Sequence, residues 1–334
     1  MRVLFQSRPD LLRLPAGDTI QVMETMRALR ELGVEVDHCM ELNPDLSGYD
    51  LVHLFNISRA VETYAQCRNA VERGRPVVVS PIYWNMEEYI LNEESDRSQR
   101  LVEWWRKDNA FRLQILKWAD MVLPNGWAEM NLIHRDFGIR PNYMIVPNGA
   151  DPAFANADPI PFVSTYGLED IVLCVGRISP RKNQLRLIKA LSGIGIDVVL
   201  IGAVNDPFYF EKCREHAGAN IKFLPQMPQS QLASAYAAAK AHVLPSWYDT
   251  PGLVSLEAAM AGCNIVSTNR GTAAEYFGNL AWYCDPRDVE SIREATLRAY
   301  SSERVGKLKE IILTQFTWEV AARETLKAYE MVLA

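Results

Sequence analysis

The chain has 334 residues, 49% hydrophobic and 23% charged, which is the make-up of a folded globular protein long enough for two domains. A net charge of −6 argues against a general nucleic-acid binder, which would carry a basic surface. No apolar run reaches the length of a membrane span, and Met1–Gln6 is too short for the apolar core of a signal peptide.

Strand and helix patterns alternate along the chain, which predicts α/β architecture. The first half offers strands at Arg2–Gln6, Val34–His38, Leu51–Phe55, Pro76–Ser80, Met121–Leu123 and Tyr143–Val146, with helices at Thr19–Leu32 and Arg59–Arg73 among those between them. Asp18, with Gln21 three residues on, reads as a capping box opening the first helix. In Leu14-Pro15-Ala16-Gly17-Asp18-Thr19, Gly17 lets backbone approach a ligand, and helix-start amides suit a phosphate or a substrate hydroxyl; an ordinary capped helix explains the segment equally well. Arg97–Trp118 interleaves Trp104, Trp105, Phe111 and Trp118 with Arg97, Arg100, Arg106, Lys107, Arg112 and Lys117. On one amphipathic helix this pattern fits membrane-surface contact, but a packed aromatic face with a solvated basic face is the commoner cause and the preferred reading. Val146-Pro147-Asn148-Gly149-Ala150-Asp151 holds an Asn-Gly turn at a domain junction, and Asp151–Pro161 reads as a linker.

A second strand set begins at Ile171–Gly176 and continues at Asp197–Ile201, Ile221–Leu224, Ala241–Leu244, Asn264–Ser267 and Leu280–Tyr283. Short, nearly all-apolar strands predict parallel sheets covered on both faces. Two such sheets, one per half, are expected to face each other across a cleft, with ligands beyond the carboxyl ends of the strands. The motifs fall at those ends. After Gly176, a loop carries Arg177, Arg181 and Lys182, and Asn183 is placed to cap a helix. Fixed cations beside a helix start make a diphosphate clamp, where a solvated basic loop is the plainer alternative. Further on, Asp249 and Glu257 stand with seven residues between them around a helix opening near Gly252. The amides of Gly252, Leu253 and Val254 favour anions, and Glu257 lies more than a turn inside, able to point at the same ligand. Amides for a phosphate and a carboxylate for sugar hydroxyls are what a nucleotide-sugar needs. Gly271-Thr272-Ala273-Ala274-Glu275 repeats the small-residue helix start.

Absences narrow the choice. No G-x-G-x-x-G follows a strand, which weighs against a nicotinamide enzyme, and neither a P-loop nor H-E-x-x-H is present. Glu94-Ser95-Asp96 is the one close acid grouping of note, and the five histidines (His38, His53, His134, His216, His242) share no ligand spacing, so neither a cofactor nor a dedicated metal is expected. Six scattered cysteines without a C-x-x-C pair read as free thiols of a reducing compartment, the cytoplasm.

Together these motifs resemble the retaining, nucleotide-sugar-dependent glycosyltransferases of the two-Rossmann-domain (GT-B) fold, the family-four or group 1 enzymes, most closely from about Asp120 to the C-terminus. Ala119–Asn125 resembles the strand before the family's serine-then-helix element, with Pro124-Asn125 where serine is common. Val146–Asp151 resembles its domain junction, Gly176-Arg177 with Lys182-Asn183 its diphosphate loop, and Asp249-x7-Glu257 its paired acids, with aspartate where the first is usually glutamate. Trp318-Glu319 to Tyr329 resembles its last helix. Two departures stand out. Val79–Asn85 lacks the family's His-Asp pair, leaving Tyr83 or Asn85 to replace it, and Gly17 stands alone where a glycine pair is often seen.

The resemblance implies an acceptor-binding domain over 1–155, a nucleotide-sugar domain over 160–315 and a helix over 316–334 crossing back onto the first. It implies sugar transfer with retention from a UDP-, GDP- or dTDP-sugar to a saccharide or lipid-linked hydroxyl, in bacterial glycan, polysaccharide or glycolipid assembly, with peripheral contact at the inner membrane face as an added expectation. Arg177, Lys182 and Asp249 would be catalytic: the two cations take the charge of the leaving diphosphate, and Asp249 holds sugar hydroxyls. Gly176, Gly252, Leu253, Val254 and Glu257 would bind the donor, Glu257 at the ribose. Gly17, Asp18, Tyr83 and Asn85 would line an acceptor or donor-phosphate loop. A sugar-nucleotide epimerase, a phosphorylase, or a silent or partner-dependent subunit on the same frame is the alternative.

Overall fold

The computed structural model describes residues 1–93 and 98–334. Glu94-Ser95-Asp96 and Arg97, singled out above, lie outside the described residues. The chain forms two compact units, Met1–Gly149 with Trp318–Ala334, and Ala150–Thr317.

In the first unit the elements are β1 (Arg2–Gln6), α1 (Gly17–Glu31), β2 (Glu35–Cys39), β3 (Leu51–Phe55), α2 (Ala60–Glu72), β4 (Val77–Ser80), α3 (Glu87–Glu93), α4 (Ser98–Lys107), α5 (Asn109–Trp118), β5 (Met121–Val122) and α6 (Trp127–Phe137). The strands pair in parallel in the order β2-β1-β3-β4-β5. Leu51–Phe55 and Val77–Ser80, apolar but for His53 and Ser80, are buried throughout, as a central strand of a parallel sheet requires. The second unit runs α7 (Ile160–Tyr166), β6 (Ile171–Val175), α8 (Gln184–Leu191), β7 (Val198–Ile201), α9 (Pro207–His216), β8 (Ile221–Leu224), α10 (Gln229–Ala238), β9 (Ala239–Leu244), α11 (Leu253–Met260), β10 (Asn264–Thr268), α12 (Ala273–Phe277), β11 (Trp282–Cys284), α13 (Val289–Ser301) and α14 (Gly306–Gln315). Its parallel order is β11-β10-β9-β6-β7-β8. Two core clusters, one on each face of that sheet, bury its apolar strands. The last helix, α15 (Trp318–Leu333), returns the chain to the first unit and packs on α1. Tyr329 of α15 reaches the unit's core, where its hydroxyl bonds His53 Nδ1 at 2.6 Å while His53 Nε2 meets Ser80 Oγ at 2.9 Å. Burial pushes this imidazole down to about 3, so it stays neutral and serves as a packed polar bridge.

Several local expectations are corrected. α1 opens at Gly17 behind Ala16, and its reciprocal cap uses Thr19: the Ala16 N–H donates to Thr19 Oγ1 at 3.0 Å. Gln21 instead donates to Asn125 Oδ1 at 3.2 Å, because a longer-range buried partner outweighs the local cap. The strand expected at Tyr143–Val146 shrinks to one bridge, Tyr143 with Val122. Of the stretch read as one helix, the described part, Ser98–Trp118, breaks at Asp108 into α4 and α5. Trp105 turns inward, 3% exposed, whereas Trp104 is 58% exposed, so the aromatics do not share one packed face. Among the described residues no helix is long and apolar enough to cross a membrane.

Candidate functional site

In the second sheet, β6 connects to β7 on one side, and the chain later returns as β9 on the other. The strand order therefore reverses between β6 and β9, and the region outside their carboxyl ends is where open α/β sheets bind ligands. The loops that follow these two strands are 176–183 and 245–252.

They are laced together. The Trp247 N–H donates to the Arg181 carbonyl at 3.0 Å, and Arg181 Nη1 donates to the Tyr248 carbonyl at 3.2 Å. Asn183 sits at the N-cap of α8 in the left-handed region, φ 64°, but its side chain does not cap the helix. Its amide donates instead to the carbonyls of Pro245 at 2.9 Å and Pro286 at 2.8 Å, tying three loops with one buried group. Lys182 Nζ donates to both oxygens of Asp249, at 3.0 and 3.1 Å, and Arg181 stands 3.9 Å from the same carboxylate. Burial raises the Asp249 carboxyl, but Lys182 and Arg181 outweigh it and hold it below its ordinary range. Arg177 is exposed on the same loop, its carbonyl accepting from Gln184 Nε2 at 3.0 Å.

Two glycines shape the second loop. Gly252, φ 92°, precedes α11, and a Cβ there would stand 2.8 Å from Leu244 Cδ2. Gly271, φ 88°, bridges Asp249, and a Cβ there would lie 1.9 Å from the Asp249 carbonyl oxygen. Backbone thus meets backbone where any side chain would push the Asp249 loop away. The amides of Ser255 and Leu256 already bond the Gly252 carbonyl, leaving those of Leu253 and Val254 at the mouth of α11 outside the helical ladder.

Glu257 is buried one turn further along α11, 8% exposed. Its Oε2 accepts from the Tyr236 hydroxyl at 3.0 Å. Burial pushes its carboxyl up to about 7, with Asp151 adding to the shift and the tyrosine hydrogen bond opposing it. Gly176, Arg177, Lys182, Asp249 and Gly252 lie on the loops after β6 and β9, and Leu253, Val254 and Glu257 in α11, all in the second unit. Sequence reasoning did not single out Tyr236, nor the dual use of Arg181 and Asn183. Tyr236 lies in an Ala- and Ser-rich helix with no spacing that points to Glu257, and only the packing of α10 on α11 joins them.

The other four residues lie in the first unit, on two separate loops. Gly17 and Asp18 open α1, and Asp18 accepts from Arg8 Nε at 2.8 Å, Arg8 Nη2 at 3.1 Å and Asn56 Nδ2 at 3.0 Å. Burial raises this carboxyl, but Arg8 outweighs it and keeps it low. Arg8 also binds Asp10 at 2.7 Å, and Arg59 binds Asp10 at 3.2 Å, so two arginines and two aspartates compensate one another beyond β1 and β3. Tyr83 and Asn85 follow β4 and meet on Asp136 of α6, at 2.9 and 3.0 Å. Tyr83 is fully buried, and burial with the adjacent carboxylate drives its phenol far above the ordinary value, so it serves as a hydrogen-bond donor. Its backbone N–H donates to Glu129 Oε1 at 2.6 Å, and Asn125 N–H to Glu129 Oε2 at 2.6 Å, bracing the loops after β4 and β5.

The chain is similar to several known proteins. Residues 162–312 match the glycosyl transferases group 1 family. The O-antigen chain mannosyltransferase B of Escherichia coli is 27% identical over 191 residues, covering 53% of this chain and 50% of that protein. A D-inositol 3-phosphate glycosyltransferase of Segniliparus rotundus is 26% identical over 245 residues, covering 66% and 54%. The chain thus spans about half the length of these curated relatives. Sucrose-phosphate synthase from Thermosynechococcus elongatus has the same fold, with a TM-score of 0.82 at 19% identity over 99% of both chains. Anabaena HepE, in complex with UDP-glucose, superposes with a TM-score of 0.74 at 16% identity over 99% of this chain and 100% of that one.

Proposed function

On the match of residues 162–312 to the glycosyl transferases group 1 family, we propose that the chain moves a sugar from a nucleoside-diphosphate donor to a hydroxyl acceptor with retention of anomeric configuration. The observation that carries the reading is the buried Lys182–Asp249 pair at the strand-order reversal between β6 and β9, with the buried Glu257 in the helix that follows the Asp249 loop. The names of similar proteins support it: one is an O-antigen chain mannosyltransferase, another a D-inositol 3-phosphate glycosyltransferase, and a solved neighbour is in complex with UDP-glucose.

As the anomeric C–O bond breaks, negative charge grows on the leaving diphosphate. Arg177 and Lys182 meet that charge, with the amides of Leu253 and Val254 adding fixed dipoles. These cations perform the charge neutralisation, so the mechanism calls on no bound metal. Glu257 accepts from the ribose hydroxyls. Asp249, already ionised, accepts from sugar hydroxyls and faces the developing oxocarbenium charge. A diphosphate oxygen takes the acceptor proton on the same face, which retains configuration without a protein base. The first unit holds the acceptor, with Gly17, Asp18, Tyr83 and Asn85 framing it through their Arg8 and Asp136 anchors. The acceptor is a saccharide or a lipid-linked glycan of a bacterial surface polymer. The exposed Trp104, flanked by Arg100 and Lys107, gives the cytoplasmic enzyme its contact with the membrane face.

The test is turnover with UDP-, GDP-, ADP- and dTDP-sugars against saccharide and lipid-linked acceptors, the product's anomeric configuration being read by proton NMR. A retained linkage with release of one nucleoside diphosphate is expected. An inverted linkage would overturn the front-face route, and nucleotide binding without turnover would favour a silent subunit.

A further inference from the structure

Tyr236 has no part in the chemistry above, yet its hydroxyl meets the Glu257 carboxylate. It is fully buried on α10, and its ring is fixed edge-on against Phe154 (centroids 5.9 Å apart) and His242 (5.7 Å). Its carbonyl accepts from Cys263 Sγ at 2.9 Å, which pins the backbone as well. The hydroxyl of this immobile ring donates to Glu257 Oε2 at 3.0 Å. Among the described residues no other hydrogen bond reaches the Glu257 carboxylate, so one oxygen is held and the other is left for a ligand. A buried carboxylate with a free oxygen is costly unless something donates to it.

We propose that Tyr236 is a positioning residue for donor binding: its hydroxyl holds one oxygen of Glu257 so that the other, ionised, receives the ribose hydroxyls. The inference rests on the ribose role of Glu257 stated under the proposed function. Two consequences follow from the surroundings. Burial opposes ionisation of Glu257, and the phenol is the group that favours it. The other titratable groups near it do not replace the phenol. Asp151, before the turn at Pro152–Asn156, opposes ionisation. His242 of β9 is held neutral by burial, with its pKa near 3. Cys263, ahead of β10, has its thiol raised to about 12. Lys309 of α14 is committed to the Ala155 carbonyl at 2.5 Å. Donor affinity therefore rises with pH through the neutral range, as Glu257 ionises, and loss of the phenol moves that rise to higher pH.

The experiment measures donor KM and kcat from about pH 6 to about pH 9 for the wild type, Tyr236→Phe and Glu257→Ala, beside the affinity of the tightest binder among UDP, GDP and ADP. In Tyr236→Phe, KM at neutral pH should rise several-fold with kcat at saturating donor unchanged, and the KM curve should move about one pH unit to the alkaline side, where wild-type KM is recovered. A purely structural role would raise KM equally at every pH, and that result would overturn the proposal, as would an unchanged curve in a folded variant. Should Tyr236→Phe fail to fold, the wild type supplies the test. The pH dependence of its nucleotide affinity should vanish with the 2′,3′-dideoxy form of the same nucleotide, and a persistent dependence would overturn the inference. If Glu257→Ala leaves nucleotide affinity intact, the ribose role itself fails. If Glu257→Ala weakens binding while Tyr236→Phe changes nothing, only the positioning role fails.

Discussion

Replacing Lys182 by Ala tests the electrostatic core of the site. In the protein, Lys182 Nζ is bonded to both oxygens of Asp249, and the two side chains are 13% and 9% exposed. The substitution has two separable effects. It leaves a buried carboxylate whose nearest remaining cation, Arg181, stands 3.9 Å away. Breaking a buried pair from one side costs about 3–5 kcal/mol, and Arg181 brings the expected loss toward the lower end. It also removes a fixed charge from the leaving diphosphate, which should lower kcat roughly a hundred- to thousandfold, or about 2.7–4 kcal/mol. Asp249 is held below its ordinary 3.8 in the folded chain, so its pairing stabilises the fold above that pH and is lost as pH falls through the depressed value. The stability gap between wild type and Lys182→Ala should therefore close in acid. Urea unfolding at neutral and acid pH, with single-turnover rates at saturating donor, separates the two effects. A folded variant with a rate within a few-fold of wild type would refute the leaving-group role of Lys182.

Other outcomes follow from the same geometry. Gly271→Ala would place a Cβ 1.9 Å from the Asp249 carbonyl oxygen at φ 88°; it should cost about 1–3 kcal/mol by chemical denaturation and lower donor affinity. Glu257→Gln removes a carboxyl raised from 4.5 to about 7. The native chain binds the extra proton between those values, so wild-type stability falls as pH rises across them; the glutamine variant should lack that decline, which amounts to at most about 3 kcal/mol by thermal melts from pH 4 to 8. Tyr329→Phe deletes the 2.6 Å bond to buried His53 and should destabilise the first unit by about 1–3 kcal/mol, read by hydrogen exchange in β3 and α15. Asp136→Ala removes the shared partner of Tyr83 and Asn85 and should raise acceptor KM while leaving donor KM unchanged in steady-state kinetics.

The parts of the fold that periodicity controls were legible in the sequence. Apolar strands such as Ile171–Val175 and Leu51–Phe55 are fixed by burial on both faces, a property their composition states directly. The fold agrees with two parallel-sheet Rossmann-like units of GT-B type. Legibility ended where a distant partner outweighed a local signal. Gln21 left the local cap for Asn125, and Asn183 stands at an N-cap yet spends its amide on Pro245 and Pro286. Tyr143–Val146 has strand-like composition but forms an isolated bridge, Tyr143 with Val122, and backbone bonds to Val122 and Pro124 rather than a strand. Of the two adjacent tryptophans in α4, spacing did not say that Trp105 would pack under the Arg112 guanidinium, 3.6 Å from its ring centre, while Trp104 faces out. In the site, loop chemistry marked Lys182, Asp249 and Glu257. Tyr236 was invisible because its role depends on how one helix packs against another.

The most direct measurement is a thermal-shift and calorimetric series with UDP, GDP, ADP, dTDP and CMP and their common sugar conjugates, on the wild type and Glu257→Ala. A ligand that binds only the folded chain raises its melting temperature in proportion to the logarithm of its concentration over Kd. One nucleoside diphosphate should stabilise the wild type clearly and Glu257→Ala weakly. No shift with any nucleotide would contradict a nucleotide-sugar transferase.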